Sequence, residues 1–392
     1  MKKYDLSKYY VFIFIFLMYF IPKYFEYTTF VKINGVIQII NVLKLVSYAL
    51  AIIWWSINIL GKKKIPVYYY ILILFLLVYF TYEAFIKDRN NVFIVLLFSL
   101  IFEEKYMRRY VNDILKISVF LYVLTIVACF CGVIENVYRD REKFGTTWTA
   151  GGLGFEYSGQ LAMMLIPIVF LYYYKRSDKI KWYENVLWLC INGIIFIQAR
   201  TIMAFGLVVL FIITFNWQKL CRRKRKRTIL EKSYIKWCPY IFALLTGGML
   251  LAYRDGNVIG KKFDLILNGR LSLGVAMIKK YGVALYGTTF VNSTKPAYEI
   301  LDSEYVHMLV GEGILYFLIA LVICQLIMEA SIKRQDAYLT LIWMMILFNA
   351  MFNNGIFNLV MNPFGIILSV SIKDIFRKKH FGKYEEVNQV LL

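Results

Sequence analysis

Residues 35–60 read GVIQIINVLKLVSYALAIIWWSINIL, an apolar stretch in which Lys44 is the sole charged residue. A helix needs roughly 20 apolar residues to cross the hydrocarbon core of a bilayer, and its backbone polar groups must be bonded internally there. A soluble domain would have to bury the whole stretch. The sequence therefore predicts a transmembrane helix at this position.

The rest of the chain has the same character. Its 392 residues are 60% hydrophobic and only 18% charged, which leaves too little polar surface for a soluble fold. The prediction is an all-α polytopic integral membrane protein of about 12 transmembrane helices, one membrane domain covering residues 1–392. The apolar runs are 9–22, 35–60, 66–86, 91–102, 117–134, 159–174, 185–199, 201–217, 237–253, 306–328, 338–353 and 357–372.

Basic segments between these runs fix the predicted orientation. With twelve crossings they all fall on one side, which is then the cytoplasmic side and holds both termini. Most of the net charge of +21 is thereby assigned to topology and to contact with anionic lipid, so nucleic acid is not an expected partner. The basic segments are Lys2/Lys3/Lys8, 62–64, 105–109, 175–181, 222–227, 333–334 and 377–379.

The same topology places two long loops outside, at 135–158 and 254–305. Irregular polar backbone is excluded from lipid, so chemistry is expected in these loops. A carrier such as a flippase would favour short loops and inverted repeats, and no repeat is visible between the halves. The cysteines form no CxxC or Cys/His cluster, and no metal-binding or nucleotide-binding motif occurs, so no metal or cofactor is expected.

A first polar group, Gln198-Ala-Arg200-Thr201, separates the runs 185–199 and 201–217. An arginine in the bilayer centre is costly, so Arg200 is expected at the outer tip of a helical hairpin. There it either caps the turn and extends to water, or presents its planar guanidinium to a phosphate.

A second group begins at Asn268-Gly-Arg270 in the longer outer loop. The spacing after it predicts an interfacial helix lying on the bundle and ending at Gly282. Arg270 falls in the first turn, where free N–H groups and the helix dipole favour a diphosphate; the alternative is an ordinary surface arginine. The predicted apolar face consists of Leu271, Val275, Ala276, Ile278 and Tyr281.

A third group lies where the longer loop re-enters the membrane, at Leu301-Asp302-Ser-Glu304-Tyr305-Val-His307. A carboxylate beside cations at a membrane mouth can accept a hydroxyl proton. His307 is interpreted either as a general base or as a hydrogen-bonded structural group. Glu312, further along, is expected to be protonated, paired or in a water-filled cavity, and Lys44 is its candidate partner if the fold brings the two together.

Four short motifs follow one another between residues 110 and 372. Gly152-Leu-Gly-Phe155 leads into a helix after the first outer loop, and Ala199-Arg200-Thr201 follows at the hairpin tip. Gly269-Arg270 opens a helix, and its loop closes on Tyr286-Gly287. Asp302-Ser-Glu304-Tyr305-Val then precedes Gly313.

In order and spacing these motifs resemble those of the O-antigen and capsule repeat-unit polymerases (Wzy type), which share a superfamily with the O-antigen ligases. The family often has His-Pro-Asn where this chain has residues 156–158. The ligase branch has a histidine at the position of Asp302, which favours polymerase over ligase.

The resemblance implies a GT-C-like, metal-independent, inverting glycosyltransferase at the outer face of a bacterial cytoplasmic membrane. It would transfer a growing glycan from undecaprenyl diphosphate to the next lipid-linked repeat, beside a flippase and a chain-length regulator. Catalysis is expected from Arg200 and Arg270 on the diphosphate and Asp302 on the acceptor hydroxyl. Glu304, Tyr305 and His307 are expected to bind substrate. An O-antigen-ligase-like transferase, a lipid-linked oligosaccharide flippase and a non-catalytic membrane scaffold are the alternatives.

Overall fold

The computed structural model describes residues 3–60, 91–143, 146–223, 230, 232–267, 269–288 and 302–369, together with 74, 76, 78, 79 and 81. The chain divides into two compact units, residues 1–219 with 357–392 and residues 220–356. The helices are α1 (Lys3–Phe25), α2 (Val36–Leu60), α3 (Asn91–Ile101), α4 (Met107–Phe130), α5 (Ser158–Arg176), α6 (Trp182–Ala199), α7 (Ile202–Arg223), α8 (Cys238–Arg254), α9 (Val258–Ile266), α10 (Arg270–Tyr281), α11 (Glu304–Val306), α12 (Ile314–Lys333) and α13 (Ala337–Asn349).

The chain is a helical membrane protein by the length and composition of its helices. Within the described ranges, six helices are long and apolar enough to cross a membrane. Ten of the twelve apolar runs coincide wholly or largely with helices, and the run 66–86 lies outside the described residues apart from five positions. Twelve crossings and the orientation stay predictions. The six spans are Leu6–Phe25, Val36–Asn58, Glu104–Phe130, Ile202–Arg222, Ser233–Arg254 and Ile314–Lys333.

The core of the first unit is built on aromatic side chains of α1. Phe16 is fully buried, and its ring centroid lies 5.2 Å from that of Phe98 on α3 and 5.4 Å from that of Tyr110 on α4. Both pairs are edge-to-face, which adds roughly 0.5–1.5 kcal/mol each beyond area burial. Phe12 packs in a tilted arrangement against Phe102, with ring centroids 5.2 Å apart. The aromatic residues at helical spacing therefore join three helices.

A β-hairpin in the first long loop departs from the all-α prediction. Strands β1 (Tyr138–Lys143) and β2 (Thr146–Gly151) pair antiparallel. The loop after β2 is tied to the turn between α1 and α2, since Thr29 N–H donates to the Gly154 carbonyl over 2.8 Å and Glu156 N–H to the Tyr27 carbonyl over 3.1 Å. The described part of loop 135–158 is thus hydrogen-bonded into the first unit.

In the second unit the predicted crossing 306–328 is interrupted. The turn α11 continues into a π-helical segment, His307–Glu312, and ends at Gly313, whose φ is +99°. The spanning helix α12 then begins, with the N–H groups of Ile314 and Leu315 donating to the carbonyls of Ala284 and Leu285 over 3.0 and 3.1 Å. Residues 284–285 therefore satisfy free N–H groups at the start of a membrane helix.

The apolar run 357–372 also differs from the prediction. Its described part, residues 357–369, consists mainly of turns and the 3₁₀ helix Pro363–Ile367. The sequence Asn362-Pro-Phe-Gly365 provides the reason, because a proline and a glycine break a regular helix. This segment packs in the first unit, where the Tyr110 hydroxyl donates to the Pro363 carbonyl over 3.0 Å.

Candidate functional site

Arg200 forms the turn between α6 and α7, as predicted. Its backbone is left-handed, with φ +53° and ψ +34°, and its N–H donates to the Phe196 carbonyl over 2.8 Å. The Thr201 hydroxyl donates to the Ala199 carbonyl over 3.1 Å, and Ile202 already begins α7. A non-glycine residue at positive φ carries local strain, and such strain concentrates at functional sites.

The Gly-Phe motif of the first unit packs beside this turn. A Cβ added to Gly151 would collide with Nε2 of Gln198, so the end of β2 lies against the end of α6. Phe155 is fully buried, with ring centroids of Tyr122 and Tyr24 at 5.4 and 6.3 Å. The structure thus places Gly151, the residue directly before the predicted motif 152–155, against Gln198 of the motif 198–201.

Arg270 is the first residue of α10 in the second unit, and its guanidinium has three fixed acceptors. Nε lies 3.1 Å from Oδ2 of Asp302, while Nη1 donates to Oδ1 of Asn353 over 3.0 Å and to the carbonyl oxygen of Phe352. Asn353 is itself held, since its Nδ2 donates to Oδ1 of Asn349 over 2.7 Å. Arg270 and Asp302, which were predicted separately as site residues, are therefore in direct contact, in a network that fixes the guanidinium plane.

The two members of this ion pair differ in exposure. The Arg270 side chain is 18% exposed and the Asp302 side chain 40%. For the Nη2 atom of Arg270, the structure shows no hydrogen bond or ion pair to any described residue. Protein acceptors therefore hold Nε and Nη1, and Nη2 is the guanidinium nitrogen for which the described residues supply no acceptor.

The start of α10 is already capped by an acid, which corrects the prediction of a helix-dipole site for diphosphate. Oδ1 of Asp264 accepts hydrogen bonds from the N–H groups of Leu271 and Ser272 over 2.8 and 3.0 Å. A carboxylate is a favourable partner for a helix start for the same reason as a phosphate. An anion at Arg270 would therefore bind the side chain and not these two backbone N–H groups.

The buried face of α10 is also shifted from the predicted one. Leu271, Gly274 and Met277 are buried, whereas Val275 is only partly buried and Ala276 is exposed. A Cβ on Gly274 would lie 2.9 Å from Cδ2 of Leu250, so α10 approaches α8 closely at this glycine. The hydropathy pattern missed this contact because glycine contributes no apolar side chain.

Glu304 and Tyr305 point into the second unit and contact protein groups. Oε2 of Glu304 accepts from the Gly355 N–H over 2.6 Å, and the Tyr305 hydroxyl donates to the Leu347 carbonyl over 3.2 Å. Burial raises the pKa of Glu304 to about 7, opposed by the backbone N–H groups of Gly355 and Ile356. These contacts anchor residues 304–305 to the segment that holds Asn353.

His307 and Glu312 lie at the two ends of the π-helical segment. Nδ1 of His307 is 3.6 Å from Oε1 of Glu312, whose side chain is buried. Such π-helical segments are rare in proteins, and those that occur often lie at functional sites. Lys44, the candidate partner of Glu312, instead forms an ion pair with Glu26 in the first unit, and Glu26 also pairs with Lys23 over 2.7 Å.

Three residues of the Arg270 network were not predicted from the sequence: Asp264, Asn349 and Asn353. The pair Asn353-Asn354 before Gly355 is a turn signal that could have located the end of the helical run 338–353. Asp264 had no comparable signal, because it caps α10 from the preceding helix. Arg200 belongs to the other unit.

Within the described ranges, no group of three or more His, Cys, Asp and Glu residues could hold a metal ion. No family model, no curated protein and no solved structure matches the chain.

Proposed function

We propose that the protein is a glycan polymerase of the outer face of a bacterial cytoplasmic membrane. Its substrates are undecaprenyl-diphosphate-linked oligosaccharides, and it moves the growing chain onto the next lipid-linked repeat. The observation that carries this proposal is the fixed guanidinium of Arg270, paired with the more exposed carboxylate of Asp302. The order of the four sequence motifs supplies the substrate class.

The reaction requires two kinds of group. The acceptor hydroxyl oxygen attacks the anomeric carbon, the bond from that carbon to the diphosphate oxygen breaks, and the hydroxyl loses its proton. Fixed cations aimed at the developing negative charge contribute a large part of the rate enhancement in such steps. Arg270 supplies a guanidinium that is already oriented by Asn353 and Phe352, so little reorganisation is needed when the charge develops.

Asp302 is suited to receive the proton. Its carboxylate is the more exposed member of the pair, so an incoming hydroxyl reaches it more readily than it reaches Arg270. Arg200, on the strained turn of the first unit, is the second candidate for diphosphate contact. Glu304, Tyr305 and His307 remain proposed substrate contacts.

The test is a gene deletion complemented with Arg200→Ala, Arg270→Ala or Asp302→Asn, with glycan length resolved on a gel. Arg254→Ala is the matched control, because Arg254 is an exposed arginine at the end of α8 that pairs with Asp255. Single-repeat glycan in the deletion strain and in the three variants, with full-length glycan in the control, is the expected result.

Other outcomes identify the alternatives. Polymer that accumulates on its lipid carrier without transfer to a final acceptor indicates a ligase-like enzyme, and lipid-linked repeats trapped inside the cell indicate a flippase. Glycan of normal length in the deletion strain would contradict the proposed function. If the deletion strain makes only single repeats but both arginine variants make glycan of normal length, the function stands and the assignment of the arginines to the site is wrong.

A further inference from the structure

The helix α9 was not foreseen in the longer outer loop, and it follows a membrane span directly. Three residues separate the end of the span Ser233–Arg254 from Val258, where α9 begins. Oδ1 of Asn257 accepts from the N–H of Ile259 over 2.9 Å and so caps the new helix. With 9 residues, α9 is about 13 Å long, far too short to cross a bilayer.

Two residues of α9 mark the side that packs against the rest of the second unit. Gly260 is buried against the end of α8, because a Cβ there would lie 2.5 Å from the N atom of Tyr253. Asp264, one turn further on, caps α10. The remaining large side chains therefore point away from α8 and α10.

The opposite side of α9 is apolar and exposed. Leu265 is 72% exposed and Ile259 61%, values similar to that of Leu244, a residue of the preceding span that is 75% exposed. Two exposed lysines, Lys261 and Lys262, belong to the same helix. The exposed apolar face comprises Val258, Ile259, Phe263, Leu265 and Ile266.

We propose that α9 lies in the lipid–water interface at the end of α8, with this apolar face among the lipid chains. Only residues 255–257 separate α9 from the span, which itself exposes the apolar side chains of Leu244, Leu245 and Leu251. Lys261 borders this face and Lys262 lies within it at helical spacing, so both long side chains extend from the apolar surface to the lipid phosphates, as lysines do at a membrane interface. A second copy of this chain is a less suitable partner for the face, because a two-fold interface would place the lysines of both copies against each other.

The bilayer thereby sets the position of Arg270. Asp264 lies on the inward side of the membrane-seated helix, and its carboxylate holds the N–H groups of Leu271 and Ser272, the two residues after Arg270. Depth in the membrane is therefore transmitted to the first turn of α10 through Asp264, whose carboxylate accepts from Leu271 and Ser272 and whose carbonyl accepts from the Gly269 N–H over 2.9 Å. The contact of α9 with lipid does not depend on the proposed function. The consequence for Arg270 does rest on the proposed function.

Spin labelling in liposomes tests the contact. A nitroxide is placed at Leu265→Cys or Ile259→Cys in the full-length chain, whose six native cysteines are changed to alanine. Collision rates with oxygen, which concentrates in lipid, and with a water-soluble nickel chelate are compared. Leu244→Cys on the span and Asp140→Cys on the hairpin serve as the lipid and water references.

Both α9 labels are expected to collide more often with oxygen than with nickel, at depths shallower than Leu244. Nickel accessibility like that of Asp140 overturns the proposal. So does protection from both reagents, which means that protein, either residues 289–301 or a second copy, covers the face.

A measurement on the unmodified chain guards against misfolding of the cysteine-free variant. Photoreactive phospholipids carrying a diazirine near the glycerol are activated in liposomes, and the attachment sites are mapped by mass spectrometry. Attachment within residues 258–266 is expected, and attachment to the spans without any in 258–266 overturns the proposal. Neither measurement depends on glycan synthesis, so its outcome is independent of the proposed function.

Discussion

Arg200 and Arg270 both stand at helix ends, but different forces hold them. Arg200 is positioned by its own backbone, in a left-handed turn that joins two consecutive helices. Arg270 is positioned by side-chain contacts with Asp302, Phe352 and Asn353, which are 32 to 83 residues away in the sequence. The first arrangement is local and the second is tertiary, so the two arginines should respond differently to the same substitutions.

The largest expected effect is on activity at Arg270. In Arg270→Lys the charge remains, but a lysine cannot reproduce a planar fork shared by three acceptors. We expect a loss of transfer rate on the order of 10²–10³-fold, nearly as large as in Arg270→Ala. Arg200→Lys should lose only about 10-fold, because the left-handed turn that places residue 200 is formed by the backbone and is kept when the side chain changes.

The measurement is the rate of polymer formation by purified protein in liposomes supplied with the lipid-linked repeat. Arg254→Lys should match the unchanged protein, since this exposed arginine lies outside the network. Equal losses in Arg200→Lys and Arg270→Lys would remove the distinction between a local and a tertiary site.

The next largest effect is on stability, at the interrupted helix of the second unit. Gly313 has φ +99° and ψ +169°, a region that is essentially restricted to glycine, and a Cβ there would lie 2.6 Å from the Leu285 carbonyl oxygen. Gly313→Ala should lower the free energy of unfolding by about 2–3 kcal/mol. Thermal unfolding in detergent is the readout.

Gly256→Ala is the matched control for this change. Gly256 also has a positive φ, of +74°, but nothing lies within 4 Å of its added Cβ. The expected loss is about 1 kcal/mol from backbone strain alone. A loss at Gly256 as large as that at Gly313 would mean that the contact with residues 284–287 contributes nothing.

A third effect is a pH dependence in the segment that supports Arg270. Burial raises the pKa of Glu304 from 4.5 to about 7, so the folded state binds its proton more tightly than the unfolded state. The stability of the second unit should therefore fall as pH rises from about 4.5 to 7 and level off above that range. Glu304→Gln keeps an acceptor for the Gly355 N–H and should lack this part of the fall.

Unfolding temperatures between pH 5 and 8 provide the comparison. Glu135→Gln in the first unit is the control, because the Glu135 side chain is 62% exposed. An unchanged pH slope in Glu304→Gln would show that Glu304 is charged in the folded protein throughout this range.

The smallest expected effect concerns the backbone at Arg200. Glycine adopts the left-handed region without cost, whereas alanine does not. Arg200→Gly should therefore be more stable than Arg200→Ala by about 1 kcal/mol. At Arg270, inside the first turn of a regular helix, the order should reverse.

Both pairs are compared by thermal unfolding under the same conditions. Activity should be low in both Arg200 variants, because the guanidinium is absent in each. If Arg200→Ala were as stable as Arg200→Gly, the left-handed turn would not be the feature that positions Arg200.

Hydropathy and local signals predicted much of this architecture. Apolar length predicted the spans, and the polar interruption at residues 198–201 predicted the hairpin tip, because both depend on neighbouring residues. The segment 357–369 was wrongly expected to be helical. Its apolar side chains are buried among other elements of the first unit, and hydropathy does not distinguish that burial from burial in lipid.

The Arg270 network shows where sequence reasoning stops. The order of motifs singled out Arg270 and Asp302 separately, one for the diphosphate and one for the acceptor hydroxyl, and the 3.1 Å contact between them came only from the structure. Asp264, Asn349 and Asn353 were missed, because a cap or an acceptor supplied by another element leaves no periodic trace. The same limit explains why the helix start of α10 was assigned to a diphosphate when Asp264 already occupied it.

By itself, the sequence determined that this is a helical membrane protein and where a positively charged side chain interrupts its apolar runs. These properties follow from the free energy of transferring each segment into lipid, a sum over adjacent residues. Only the tertiary structure decided which partners hold Arg270, that the run 306–328 breaks at Gly313, and that α9 presents an apolar face. The first two depend on the close approach of residues far apart in the chain, and the third on how α9 folds back against the helices before and after it. In each, excluded volume and hydrogen-bond geometry choose among arrangements of equal hydropathy.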